Sequence, residues 1–106
     1  MSAGNRLEAL KGFLEQDPDD SFTRYALALE YIGRGDESTG IALLRETIER
    51  DPSYVPGWHM LAQQLVKTGD FISARAIFEE GIRVARSTGD THAASEMEME
   101  MEEAGV

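Results

Sequence analysis

Asp17-Pro18 recurs as Asp51-Pro52, and sliding the chain along itself by the same 34 positions brings much else into line. Leu27-Ala28 falls on Leu61-Ala62, Gly35-Asp36 on Gly69-Asp70, Ala42 on Ala76, Glu46 on Glu80 and Ile48 on Ile82. Apolar character survives where identity is lost, as at Tyr31/Leu65, Ile32/Val66, Leu43/Ile77 and Leu44/Phe78. A chain repeated at this period folds as tandem copies of one small unit, each of which needs a neighbour to bury its apolar face.

The unit is a pair of helices. Trp58, Leu61, Ala62 and Leu65 follow the three-and-four spacing of an amphipathic helix, and Ala74, Ile77, Phe78 and Ile82 do so again after Gly69-Asp70. Gly35 and Gly69 suit the left-handed conformation that closes a helix, and Asp36 and Asp70 can cap the next one. Pro18 and Pro52 interrupt helical hydrogen bonding between units. Upstream, Leu7, Leu10, Phe13 and Leu14 share one face of a further helix that runs into the first Asp-Pro.

On Trp58, Leu61-Ala62, Leu65, Gly69, Ala74 and Phe78, with Leu27-Ala28, Tyr31, Gly35, Leu44 and Pro52 one unit earlier, the sequence resembles the tetratricopeptide repeat family. That family's unit is a 34-residue helix-turn-helix. Arg24 stands where Trp58 stands one repeat later, which weakens a packing contact. Gly40 replaces the small Ala74, and Arg86 lies where another proline is expected. The resemblance implies an all-α fold, a short right-handed α-solenoid of about six antiparallel helices in a single domain over 1–106. The predicted organisation is a leading half-repeat helix (5–16), a repeat over 17–50, a repeat over 51–86 and a C-terminal capping helix within 90–104. The six helices are expected at 5–16, 20–33, 37–50, 54–67, 71–86 and 91–104.

Toward the end of the chain, Met97, Met99 and Met101 alternate with Glu96, Glu98, Glu100 and Glu102. Period two suggests a strand, but Met and Glu are good helix formers and a lone strand in a helical array has no partner. As a helix, the segment aligns Ala94, Met97, Met101 and Ala104 on one apolar stripe, with Met99 turned toward a groove. A copper site on the methionines is disfavoured, because spacing by two splays them around the helix. Five glutamates without a basic neighbour are expected to fray its end.

The resemblance also implies where a partner binds, since the first helix of each unit in this family lines a concave groove. The candidate site residues are Phe22, Tyr25, Leu29 and Ile32 from the first unit, Pro56, His59, Gln63 and Val66 from the second, and His92, Ser95 and Met99 from the last helix. Phe22, Tyr25 and Leu29 would form an apolar anchor pocket, with His59 and Gln63 bonding a ligand backbone. Phe22 and Leu29 could equally pack on the leading helix or on another copy. Some family members clamp a chaperone's C-terminal carboxylate with Lys and Asn; Tyr25, Leu29, His59, Gln63, Ser95 and Met99 occupy those places here, so that ligand is disfavoured.

Twenty Asp and Glu against ten Lys and Arg leave a net charge of −10. That disfavours nucleic acid and anionic membrane and favours a partner with basic residues around an apolar anchor. No cysteine is present, and neither a signal segment nor a bilayer-spanning stretch is evident, so a cytoplasmic location is expected. His59 and His92 have no nucleophile or metal-ligand partner at a meaningful spacing, so no catalytic residue, metal or cofactor is assigned. The expected function is a non-enzymatic adaptor that binds a peptide or partner helix. A homo-oligomerisation module giving a homodimer is the alternative, and a weak metal-binding protein, with a histidine pair taking zinc, is the remote one.

Overall fold

The computed structural model describes residues 3–106 and, among them, six helices and no strand. These are α1 (Ala3–Gln16), α2 (Ser21–Gly33), α3 (Glu37–Arg50), α4 (Val55–Lys67), α5 (Phe71–Ser87) and α6 (Thr91–Ala104). Each boundary lies within two residues of its expected place. No helix among the described residues is long and apolar enough to cross a membrane.

The agreement has a local cause. Gly35, Gly69, Gly89 and Gly105 all take positive φ. After α2 the Asp36 amide donates to Tyr31 and the Gly35 amide to Ile32, and the same pair of bonds closes α4, α5 and α6. This arrangement satisfies carbonyls that a helix end would otherwise leave bare, and it needs a residue tolerant of the left-handed region. Asp36, Asp70 and Asp90 then accept a backbone N–H from three residues on, starting the next helix immediately. Asp20 does the same for α2.

The chain divides into two compact units, one ending at Asp51 and the other spanning Pro52–Val106. In the first, α2 packs on both α1 and α3. Leu27, Ala28, Leu44 and Ile48 are buried. Phe13, grouped with the apolar face of α1 in the sequence, remains 58% exposed, while Leu7, Leu10 and Leu14 are half-buried. Gly40 allows a close crossing of α2 and α3: a Cβ there would come within 3.0 Å of the Ala28 carbonyl oxygen.

Arg24 is 1% exposed. Its guanidinium donates to the Pro18 carbonyl and pairs with Glu46 at 3.5 Å. One repeat later the Trp58 indole N–H donates to the Pro52 carbonyl at 2.9 Å. The arginine therefore keeps the hydrogen bond that its counterpart makes, and replaces ring packing by a buried cation with a carboxylate beside it.

In the second unit, α4 and α6 both pack on α5. The core is built from Val55, Ala62, Phe78, Ile82, Val84, Ala85, Ala94 and Met97, with Trp58, Val66 and Met101 partly buried against it. Gly81 lies under Trp58 and Met97, so that a Cβ would sit 2.9 Å from Trp58 Cβ. Met97 is fully buried and Met99 is 59% exposed, as the helical reading of the Met-Glu run requires. The acidic helix is not without cationic neighbours: Arg86, standing where a proline was expected, pairs with Glu98. With that pair and the Gly105 closure, α6 stays helical through Ala104.

Candidate functional site

Two helices that both pack on α5 make a notch in the second unit. α4 and α6 touch each other only slightly. Where they diverge, a hollow of about 310 Å³ opens, lined by Gln63, Val66, Phe78, Glu100, Glu103 and Ala104. Its floor is apolar and its rim carries carboxylates.

Glu100 joins the two helices. Its Oε1 accepts from Gln63 Nε2 at 2.6 Å, and its Oε2 lies 2.6 Å from His59 Nε2. His59 and Gln63 are four residues apart on α4 and therefore share a face, which places both on one carboxylate. Four residues before Glu100 on α6, Glu96 meets His92 Nε2 at 2.8 Å. Among the described residues, His59, Glu96 and Glu100 each bring one donor atom to within 4.8 Å of the others, a grouping that could hold a metal ion.

Of the α4 residues singled out in the sequence, His59, Gln63 and Val66 gather at this notch, while Pro56 stays exposed in the first turn of α4. His59 and Gln63 face α6 and bind Glu100. Ser95 and Met99 are exposed on α6 and do not line the hollow, whose α6 wall is Glu100, Glu103 and Ala104. One helical residue is a rotation of about 100°, so Glu96 and Glu100 stand a single step around the helix from Ser95 and Met99. Matching α6 to α4 by repeat register identifies the face equivalent to that of His59, whereas His59 looks at the neighbouring flank.

In the first unit a second hollow, about 300 Å³, is lined by Arg6 of α1 with Phe22, Tyr25, Ala26, Leu29 and Glu30 of α2. Phe22, 68% exposed, Tyr25 and Leu29 do come together there. Burial pushes the Tyr25 phenol up from its ordinary pKa. Glu30 pairs with Arg6 at 3.5 Å and with Arg34 at 3.2 Å, giving that hollow a balanced polar edge. Ile32 is not among its lining residues; its side chain occupies the space above Gly40 in α3.

No protein-family model matches the chain. A TPR repeat-containing protein of Pseudomonas aeruginosa is 32% identical over 91 residues, covering 86% of this chain and 87% of that protein. The chain belongs to the tetratricopeptide repeat family. Among solved structures, a TPR domain protein from Salinibacter ruber is 35% identical, with a TM-score of 0.79 over 83% of this chain and 89% of that one. The TPR2B domain of yeast Sti1, solved as a complex with pHsp70, reaches a TM-score of 0.89 over 97% of this chain and 82% of its own at 17% identity, and so speaks for the TPR fold alone.

Proposed function

We propose that this TPR chain is a non-enzymatic protein-interaction module whose α4–α6 notch receives an apolar side chain of a peptide or partner helix, with basic residues of the ligand meeting the acidic rim. TPR domains are generally protein-interaction modules, and the Sti1 domain of the same fold has pHsp70 as its partner. The observation that carries the reading is the hollow itself, in which Val66, Phe78 and Ala104 provide an apolar floor and Glu100 and Glu103 the rim. A ligand cation over that rim gains from a site already rich in carboxylates, in a chain of net charge −10. The Phe22, Tyr25 and Leu29 hollow of the first unit is the second docking place, suited to an aromatic or aliphatic anchor.

Fluorescence anisotropy with labelled peptides that carry a Leu or Phe anchor between Lys or Arg residues tests this. Binding should weaken with added salt and with Val66→Glu, which fills the apolar floor with charge. Equal binding of an acidic peptide of the same apolar content, or indifference to Val66→Glu, overturns it. A second reading, self-association, is supported by the exposed Phe22, Phe71 and Ile72, the last at 89%. Light scattering after size exclusion would then give a dimer that Phe22→Glu or Ile72→Glu returns to monomer.

A further inference from the structure

We infer that His59, Glu96 and Glu100 form a zinc-class divalent metal site that bridges α4 and α6. The inference goes beyond the peptide-binding reading and does not depend on it. One imidazole nitrogen and two carboxylate oxygens from two helices lie within 4.8 Å of one another. A mixed nitrogen and oxygen donor set of this kind suits zinc and its transition-metal neighbours more than calcium or magnesium, which prefer all-oxygen cages.

The arrangement resembles a metal site in its surroundings as well as in its donors. Glu100 presents Oε2 to His59 while its Oε1 is held by the Gln63 amide at 2.6 Å. Glu96, on the exposed side of the cluster, meets the His92 imidazole at 2.8 Å. Ligating carboxylates are characteristically fixed by such outer hydrogen bonds, which set the orientation of the donor atom before the ion arrives. Glu96 and Glu100 are one helical turn apart, so both project from the same flank of α6. His59 is supplied by a helix that α5 already holds in place.

Donor atoms about 2.0–2.1 Å from a tetrahedral zinc stand roughly 3.3 Å apart. His59 Nε2 and Glu100 Oε2, now 2.6 Å apart, therefore need to separate by well under 1 Å, which side-chain torsions provide. The ring would bind through a bare Nε2, so the ion takes the place of the contact between ring nitrogen and carboxylate. Three protein ligands leave a fourth position for water or for a donor brought by a partner.

Isothermal titration of the full chain with zinc chloride, without any peptide, tests the proposal, and the visible absorption of added cobalt(II) reports the geometry. The expected result is one zinc per chain, not displaced by excess magnesium, and a higher melting temperature on addition of metal. His59→Gln and Glu100→Gln should abolish the bound equivalent. Gln63→Ala, which leaves every ligand in place, should weaken it about tenfold. Glu102→Gln, on the same helix but outside the cluster, should change nothing. Circular dichroism verifies that each variant is folded. No bound equivalent, or one indifferent to His59→Gln and Glu100→Gln in folded protein, overturns the site and leaves the peptide-binding reading standing.

Discussion

Gly40 offers a prediction in which two ordinary rules disagree. In the middle of a helix, glycine to alanine stabilises by up to about 1 kcal/mol, because the glycine backbone loses more freedom on folding. At Gly12 of α1 an added Cβ meets nothing within 4 Å, so Gly12→Ala should show that gain. At Gly40 the added carbon lies 3.0 Å from both the Ala28 carbonyl oxygen and Ile32 Cδ1, and closer still to Ile32 Cγ1. The carbonyl belongs to the α2 backbone and cannot yield without moving the helix. Overpacking of this kind typically costs about 1–3 kcal/mol. Subtracting the propensity gain leaves a net loss of roughly 0–2 kcal/mol, so the two variants should differ by about 1–3 kcal/mol in opposite directions.

The second repeat suggests the repair. At the corresponding positions it carries Ala74 with Val66 instead of Gly40 with Ile32. Ile32→Val removes Cδ1 and leaves a shorter side chain that can turn its γ carbon away from the added Cβ, and the Ile32→Val/Gly40→Ala double variant should show a favourable coupling of at least about 0.5 kcal/mol relative to the two single changes. Urea unfolding followed by far-ultraviolet circular dichroism measures all four proteins. If Gly40→Ala stabilises as much as Gly12→Ala, the close crossing of α2 and α3 is wrong.

Met97→Ala should destabilise by about 2–5 kcal/mol, since it empties a fully buried site against Gly81, next to Trp58; Met99→Ala, at an exposed position, should stay within about 0.5 kcal/mol on the same urea curves. Arg24→Trp installs the residue of the second repeat, whose indole reaches the matching carbonyl, and should be at least as stable as the natural protein, because a buried ion pair is often no better than well-packed apolar volume. The Asp20 and Asp36 carboxyls lie below the ordinary aspartate value of 3.8, held there first by the hydroxyls of Thr23 and Thr39 and then by the backbone N–H groups of the same residues. A carboxyl lowered by folding stabilises above its unfolded value and ceases to as the pH falls through the folded one. Stability should therefore decline below about pH 4, and the Asp20→Asn/Asp36→Asn variant should show a shallower decline in an acid titration followed by circular dichroism.

The helices were legible because their ends are written in adjacent residues. Gly35-Asp36, Gly69-Asp70 and Gly89-Asp90 carry both the closure of one helix and the cap of the next, and neither depends on distant parts of the chain. The Met-Glu run also resolved correctly, since only the helical period puts Met97 inside and Met99 outside. What escaped was rotational. Spacing along α6 shows which residues share a face, but not which flank meets α4, and that flank carries Glu96 and Glu100. The partners of His59 and Gln63 were consequently hidden among glutamates that looked alike. Arg24 was obscure for a different reason: its repeat position called for an aromatic ring, and only the Pro18 carbonyl and the Glu46 carboxylate explain a cation there.

A heteronuclear NMR titration of the labelled chain with a peptide bearing one Leu anchor between Lys residues shows whether the α4–α6 notch is the docking place. If the α4–α6 notch receives the anchor, the amide signals of Gln63, Val66, Glu103 and Ala104 shift together and saturate along one binding curve. Shifts confined to the outward residues of α5, such as Arg75 and Arg83, or signals that stay unmoved at saturating peptide, would contradict it.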